Sequence, residues 1–184
     1  MNIKLIISDL DGTLVDTYRA NLNAYQKAFG AVGLELHEET YARCFGLRFD
    51  RFMQEAGIKD VAISEHIKQL KERFYPDFFS LLRPNISLLR FIHDFHRSGG
   101  CTAVASTARR TNLIKVIDSI DAAGDFDLML SGDDVTEGKP SPEIYTRVLE
   151  HFGVSPSQAL VFEDSEVGFQ AAARCGVPFI KIRM

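Results

Sequence analysis

The sequence predicts an α/β fold: a parallel sheet of about five strands flanked by helices, with an all-helical segment inserted after the first strand. Three observations lead there. Five short apolar runs end in polar or acidic residues, the stretches between the later runs carry apolar residues at helical spacing, and residues 17–83 interrupt that alternation.

The first run, Ile3 to Ile7, is almost continuously apolar and stops at Asp9-Leu10-Asp11-Gly12-Thr13, as a buried parallel strand running into a polar turn does. The same grammar recurs at Thr102 to Ser106, Phe126 to Leu130, Ala159 to Phe162 and Pro178 to Ile182. Between these runs, Leu113, Val116, Ile117 and Ile120 share one helical face, as do Ile144, Val148, Leu149 and Phe152. Val167, Ala171 and Ala172 form a third face, closed by Gly176. Strands alternating with helices over short connections imply right-handed crossovers, so a ligand crevice is expected beyond the carboxyl ends of the strands.

Residues 17–83 read differently. Leu22, Tyr25, Phe29 and Val32, then Ile63, Ile67, Leu70 and Phe74, keep helical periods with no convincing strand among them. Pro84 disfavours helix at Arg83 and marks the return. The expected organisation is therefore a core domain of residues 1–16 and 84–184 and a helical cap of residues 17–83. The cap is expected to stand over the crevice as a lid hinged at Thr13–Thr17 and Leu82–Asn85.

Composition narrows the function classes. The 184 residues are 46% hydrophobic and 25% charged, as in an ordinary globular protein, which excludes a disordered tail or a coiled-coil rod. A net charge of -4 supplies no global positive field, so neither nucleic acid nor an anionic membrane is an expected partner. Cys44, Cys101 and Cys175 are odd in number, far apart and without zinc or C-x-x-C spacing, which suits a reducing compartment. The apolar start meets an acid at Asp9, too soon for a signal segment or membrane span, so a cytoplasmic location is expected. The sequence sets no oligomeric state; a monomer suffices.

The chemistry-bearing residues fall at the ends of the strands. Asp9 and Asp11, one residue apart at an extended strand end, are expected to leave the same face, where a hard divalent cation would relieve their repulsion. Gly12 permits a sharp turn. Ser106 closes the second run just before a helix expected to start at Thr107 or Ala108, a place suited to an anion. Lys139 follows the third run, and Glu163, Asp164 and Ser165 end the fourth. Each has a plain structural alternative: an Asx turn for the acid pair, helix N-caps for Ser106 and Ser165, a solvated surface charge for the lysine. Their appearance in order on successive strand ends favours one shared site.

The strings Ser8-Asp-Leu-Asp-Gly-Thr-Leu14, Val104-Ala-Ser-Thr107, Gly138-Lys-Pro-Ser-Pro-Glu-Ile-Tyr145 and Val161-Phe-Glu-Asp-Ser-Glu-Val-Gly-Phe-Gln-Ala-Ala172 resemble the four motifs of the haloacid dehalogenase superfamily, in its branch with a Rossmann-like core and a helical cap. The D-x-D pair is similar to that of its phosphatases and phosphotransferases, whereas dehalogenases lack the second aspartate. The resemblance implies that Asp9 is a nucleophile forming an aspartyl phosphate and Asp11 a general acid and base. It implies Mg2+ as cofactor, held by Asp9, the Asp11 carbonyl, Asp164 and Glu163, the last directly or through water. Ser106, Thr107 and Lys139 would bind the transferring phosphoryl group.

The implied function is a Mg2+-dependent phosphatase acting on a small phosphate ester, by resemblance a sugar phosphate, since short phosphatases of the fructose-1-phosphate type in the family end similarly after the fifth strand. A sugar phosphomutase of the β-phosphoglucomutase kind is the alternative. In those enzymes a cap histidine lies twelve residues after the nucleophile, and here that place is Asn21. A phospho-accepting regulatory module is a remote alternative, because receiver domains order their acids, hydroxyl and lysine differently and lack a long insertion. In the cap, Arg48 and Lys71 are candidates for meeting the substrate, with solvated helix faces as the alternative. Phe74, Tyr75, Phe78 and Phe79 read as cap core. His37, His66, His93, His96 and His151 form no catalytic pattern and read as surface or structural.

Overall fold

The computed structural model describes residues 2–184. The chain divides into two compact units, one running to Asp16 and resuming at Pro84, the other spanning Thr17–Arg83.

The first unit is built on a five-stranded, all-parallel sheet of β1 (Leu5–Ser8), β4 (Cys101–Ala105), β5 (Leu128–Leu130), β6 (Ala159–Glu163) and β7 (Phe179–Lys181), in the order β5-β4-β1-β6-β7. All four residues of β1 are buried, as its central position and two covered faces require. Fully burying a side chain such as Leu5 or Ile7 stabilises the unit by about 1.5–3 kcal/mol. Leu5 and Ile7 share a core with Ala103, Ala105 and Val161, against Val148 of helix α7 (Glu143–Phe152) and Ala171 of α8 (Glu166–Cys175). Helix α6 (Arg110–Ser119) buries Leu113, Val116 and Ile117, the face its spacing predicts.

Helix α5 (Ile86–Arg97) goes beyond what was read from the sequence. It buries Leu88 and Ile92, and the Asn85 side chain caps it by accepting from Leu88 N–H. His93 Nδ1 and His96 Nε2 on this helix meet Asp125 and Asp127 at 2.7 and 3.0 Å, a tie to the connection before β5. Two short strands, β2 (Val15–Asp16) and β3 (Arg83–Pro84), pair with each other where the chain leaves the first unit and returns.

The second unit is helical: α1 (Tyr18–Ala31), α2 (Glu38–Cys44), α3 (Phe49–Glu55) and α4 (Val61–Phe74), followed by a 3₁₀ turn over Tyr75–Leu81. Leu22, Phe29, Tyr41, Phe52, Met53 and Ile67 form its core. Phe52 packs edge-on against Tyr25 and Tyr41, with ring centroids at 4.7 and 5.7 Å. Asp60 caps α4 by accepting from Ala62 and Ile63 N–H.

Candidate active site

Register in the sheet assembles the site. Ser8 stands level with Val104 on one side and Phe162 on the other, so the next residue of each strand, Asp9, Ala105 and Glu163, emerges at one height at the carboxyl edge. Asp9 N–H still donates to Phe162 carbonyl at 2.9 Å, which holds its backbone in the sheet's line. Beyond it the chain turns tightly. The Leu10 carbonyl accepts from Thr13, Leu14 and Val15 N–H, and Gly12 adopts φ +86°, a left-handed conformation costly for any side chain. A Cβ at Gly12 would also stand 2.2 Å from Asp164 Oδ2, so glycine here lets the turn meet the fourth strand end.

Lys139 Nζ reaches into this edge and donates to Asp9 Oδ1 at 2.6 Å, Glu163 Oε2 at 2.7 Å and the Ala105 carbonyl at 3.0 Å. The loop that carries it is fixed by Glu143, whose carboxylate accepts from Thr136 and Glu137 N–H at 3.0 and 2.8 Å. Asp164 Oδ1 accepts from Thr13 Oγ1 at 2.9 Å, tying the first and fourth strand ends together. Ser106 is fully buried and its Oγ accepts from Ala108 N–H at 3.0 Å, which leaves the hydroxyl proton to donate.

Burial sets the electrostatics. It pushes the Asp9 carboxyl well above the usual range, the Glu163 charge adds to this, and Lys139 pulls the other way. Burial also disfavours the Lys139 ammonium, but Asp9 and Glu163 more than offset this and hold it well above the usual lysine value. For Glu163, burial opposes the charge, yet Lys139 and the hydrogen bonds from Lys139, Ser165 and Tyr145 outweigh it and keep the carboxyl low. Asp164 is pushed up to about 6 by burial and by Glu163, against the hydrogen bond from Thr13.

Ligand oxygens of Asp9, Glu163 and Asp164 all lie within 4.8 Å of one another. Three carboxylates face one ammonium there, a shortage of positive charge that a divalent cation with a taste for oxygen ligands would correct. The donor set is all carboxylate, hard and partly preformed, so it fits a cation of the magnesium type and offers nothing to a soft metal.

Residues 6–182 match the haloacid dehalogenase-like hydrolase family. The chain belongs to that family. Among similar proteins is the phosphorylated carbohydrates phosphatase of Thermotoga maritima, 28% identical over 95% of this chain and 82% of its own length. The CbbY protein of Rhodobacter capsulatus is 31% identical over 96% of this chain and 84% of its own. In three dimensions, a CbbY variant from Rhodobacter sphaeroides in complex with xylulose-(1,5)bisphosphate superposes with a TM-score of 0.85 at 27% identity, covering 99% of this chain and 87% of that one. As a haloacid dehalogenase-like hydrolase, the chain is thus related to β-phosphoglucomutases, CbbY proteins and sugar-phosphate phosphatases.

Of the residues expected at the site, Asp9, Lys139, Glu163 and Asp164 are brought together directly. Strand β1 ends at Ser8, and among the described residues the close acidic cluster is Asp9, Glu163 and Asp164; Asp11 is outside that cluster, and its charge is felt at Asp9. The helix after Ser106 begins at Arg110 rather than Thr107 or Ala108, and Asp133 caps it from outside by accepting from Arg110 N–H. Ser106 and Thr107 therefore sit in a loop ahead of the helix rather than at its first turn.

In the helical unit, Arg48 precedes α3 with its Nε 3.5 Å from Asp50. Lys71 is buried, its ammonium 3.5 Å from the Tyr75 ring centroid and 5.2 Å from that of Tyr25. The solvated face considered for Lys71 is thus excluded. Sequence reasoning passed over Thr13, Tyr145 and Gly168. A Cβ at Gly168 would fall 2.0 Å from Glu163 Cδ, and Tyr145 Oη donates to Glu163 Oε2 at 2.8 Å. The only available signal was that all three lie inside the matched motif strings.

Proposed function

We propose that this hydrolase is a Mg2+-dependent phosphatase that cleaves the phosphate ester of a small metabolite through an aspartyl phosphate on Asp9. The observation that carries this reading is the Asp9 carboxylate, buried at the carboxyl edge of the sheet, paired with Lys139 at 2.6 Å and flanked by Glu163 and Asp164.

In the first half-reaction an Asp9 carboxylate oxygen attacks phosphorus and the ester oxygen departs, taking a proton from Asp11. In the second, Asp11 accepts a proton from water, the water oxygen attacks the same phosphorus, and inorganic phosphate leaves as Asp9 regains its carboxylate. Lys139 holds Asp9 oriented and, with Ser106 and Thr107, offsets charge on the phosphoryl oxygens. Asp9 and Asp164, with the Asp11 carbonyl, are assigned to hold Mg2+, which when bound supplies further charge neutralisation at the phosphoryl group. Glu163 stands behind them, since hydrogen bonds occupy both of its oxygens.

A phosphorylated sugar is the substrate class that the relatives support, one being named for phosphorylated carbohydrates and another binding a sugar bisphosphate. Hydrolysis is preferred over a mutase reaction because Asn21, whose Nδ2 donates to Thr17 Oγ1 at 3.0 Å, carries an amide that exchanges no proton at neutral pH. Three free cysteines suit the cytoplasm; no helix among the described residues is long and apolar enough to cross a membrane.

The test is a screen of phosphorylated metabolites with and without Mg2+, run on the wild type and on Asp9→Asn. Release of inorganic phosphate that needs Mg2+ and vanishes in Asp9→Asn, with the circular dichroism spectrum intact, is expected. Undiminished phosphate release by Asp9→Asn rejects the reading, and an isomerised ester in place of free phosphate reassigns the reaction to a mutase.

A further inference from the structure

Glu163 is saturated. Its Oε1 accepts from Asp164 N–H and Ser165 N–H, both at 3.1 Å, and from the Ser165 hydroxyl at 2.8 Å. Its Oε2 accepts from Lys139 Nζ at 2.7 Å and from the Tyr145 hydroxyl at 2.8 Å. Five donors meet a carboxylate with about four lone-pair sites, so its orientation is dictated from all sides. Gly168 closes the mould, because any side chain there would displace the carboxylate.

We propose that Tyr145 is a positioning residue for the reaction: its hydroxyl, acting through Glu163, fixes the Lys139 ammonium against Asp9. Tyr145 lies on α7 and is fully buried, and its ring centroid is 5.2 Å from Lys139 Nζ. Removing the hydroxyl leaves ring and packing in place, and Glu163 Oε2 keeps Lys139 as its one remaining donor of the two. The second carboxylate that holds the Lys139 ammonium is then less firmly fixed, and the Lys139–Asp9 pair takes a wider range of positions. A misplacement of this order at a group that stabilises a transition state lowers the rate more than it weakens substrate binding. The inference rests on Asp9 being the nucleophile of the proposed phosphatase.

The test compares wild type, Tyr145→Phe, Gly168→Ala and the double variant, with p-nitrophenyl phosphate as substrate and Mg2+ binding followed by calorimetry. Partners that orient a site's first ring of residues typically contribute about 10–100-fold in affinity or activity. Tyr145→Phe is therefore expected to lower kcat about tenfold with KM changed less than about threefold, and to weaken Mg2+ binding. Gly168→Ala should show the same split, and the double variant should fall well short of the product of the two effects, because both act on Glu163. A lowered melting temperature with kcat and Mg2+ affinity unchanged overturns the proposal, as does full multiplicativity of the two effects. A wild type inactive on every phosphate ester rejects the phosphatase reading instead, and the calorimetric comparison then decides the positioning role alone.

Discussion

Asp164 carries a carboxyl whose charge is held back by its surroundings, and this gives the site a pH signature. A carboxyl raised in the folded chain binds its proton there at a pH where the unfolded chain has released it. The folded state is therefore favoured at low pH, and that advantage is lost as pH rises through the folded value, about 6 for Asp164. Asp9 shifts in the same direction. Mg2+ binds the deprotonated carboxylates, so a fixed concentration of it should raise the melting temperature more near pH 7.5 than near pH 5. Thermal unfolding at the two pH values checks this, and equal shifts would argue that these carboxylates do not hold the ion. At this scale the sequence marks Asp9 and Asp164, each directly after a strand end, and Lys139, in the loop between β5 and α7. It hides the burial of Lys71 among aromatic rings, which depends on the packing of α4.

Helix α8 shows how one element serves both fold and site. Ser165 Oγ accepts from Gly168 N–H at 3.1 Å as the N-cap, and the same hydroxyl donates to Glu163 Oε1. Ser165→Ala removes both bonds and is expected to cost about 1–3 kcal/mol of stability, measured by urea unfolding. A loss indistinguishable from zero would mean that water replaces the cap and that the hydroxyl does not hold Glu163. Serine at this cap was legible from its place before an apolar helical face. The start of α6 was not, since Asp133, distant in sequence, supplies the cap that ends the loop at Arg110. Helix α5 went unread, although Leu88 and Ile92 keep helical spacing.

For the molecule as a whole, strand order explains why four motifs scattered from Asp9 to Asp164 form one site. The first strand lies at the centre, so the second and fourth motifs flank it, and the lysine arrives from the loop that follows β5. The five-strand alternation was readable because parallel strands buried on both faces are short and apolar. The register that sets Asp9 level with Glu163 was not, because it is decided between strands. The central claim is that Asp9 itself carries the phosphoryl group during turnover. Enzyme quenched while hydrolysing a saturating substrate, reduced with labelled borohydride and mapped by peptide mass spectrometry tests this most directly. Reduction of an acyl phosphate should convert Asp9 to homoserine and leave Asp11, Glu163 and Asp164 unlabelled. Active enzyme that yields no label at Asp9, or label at another acid, would contradict the account.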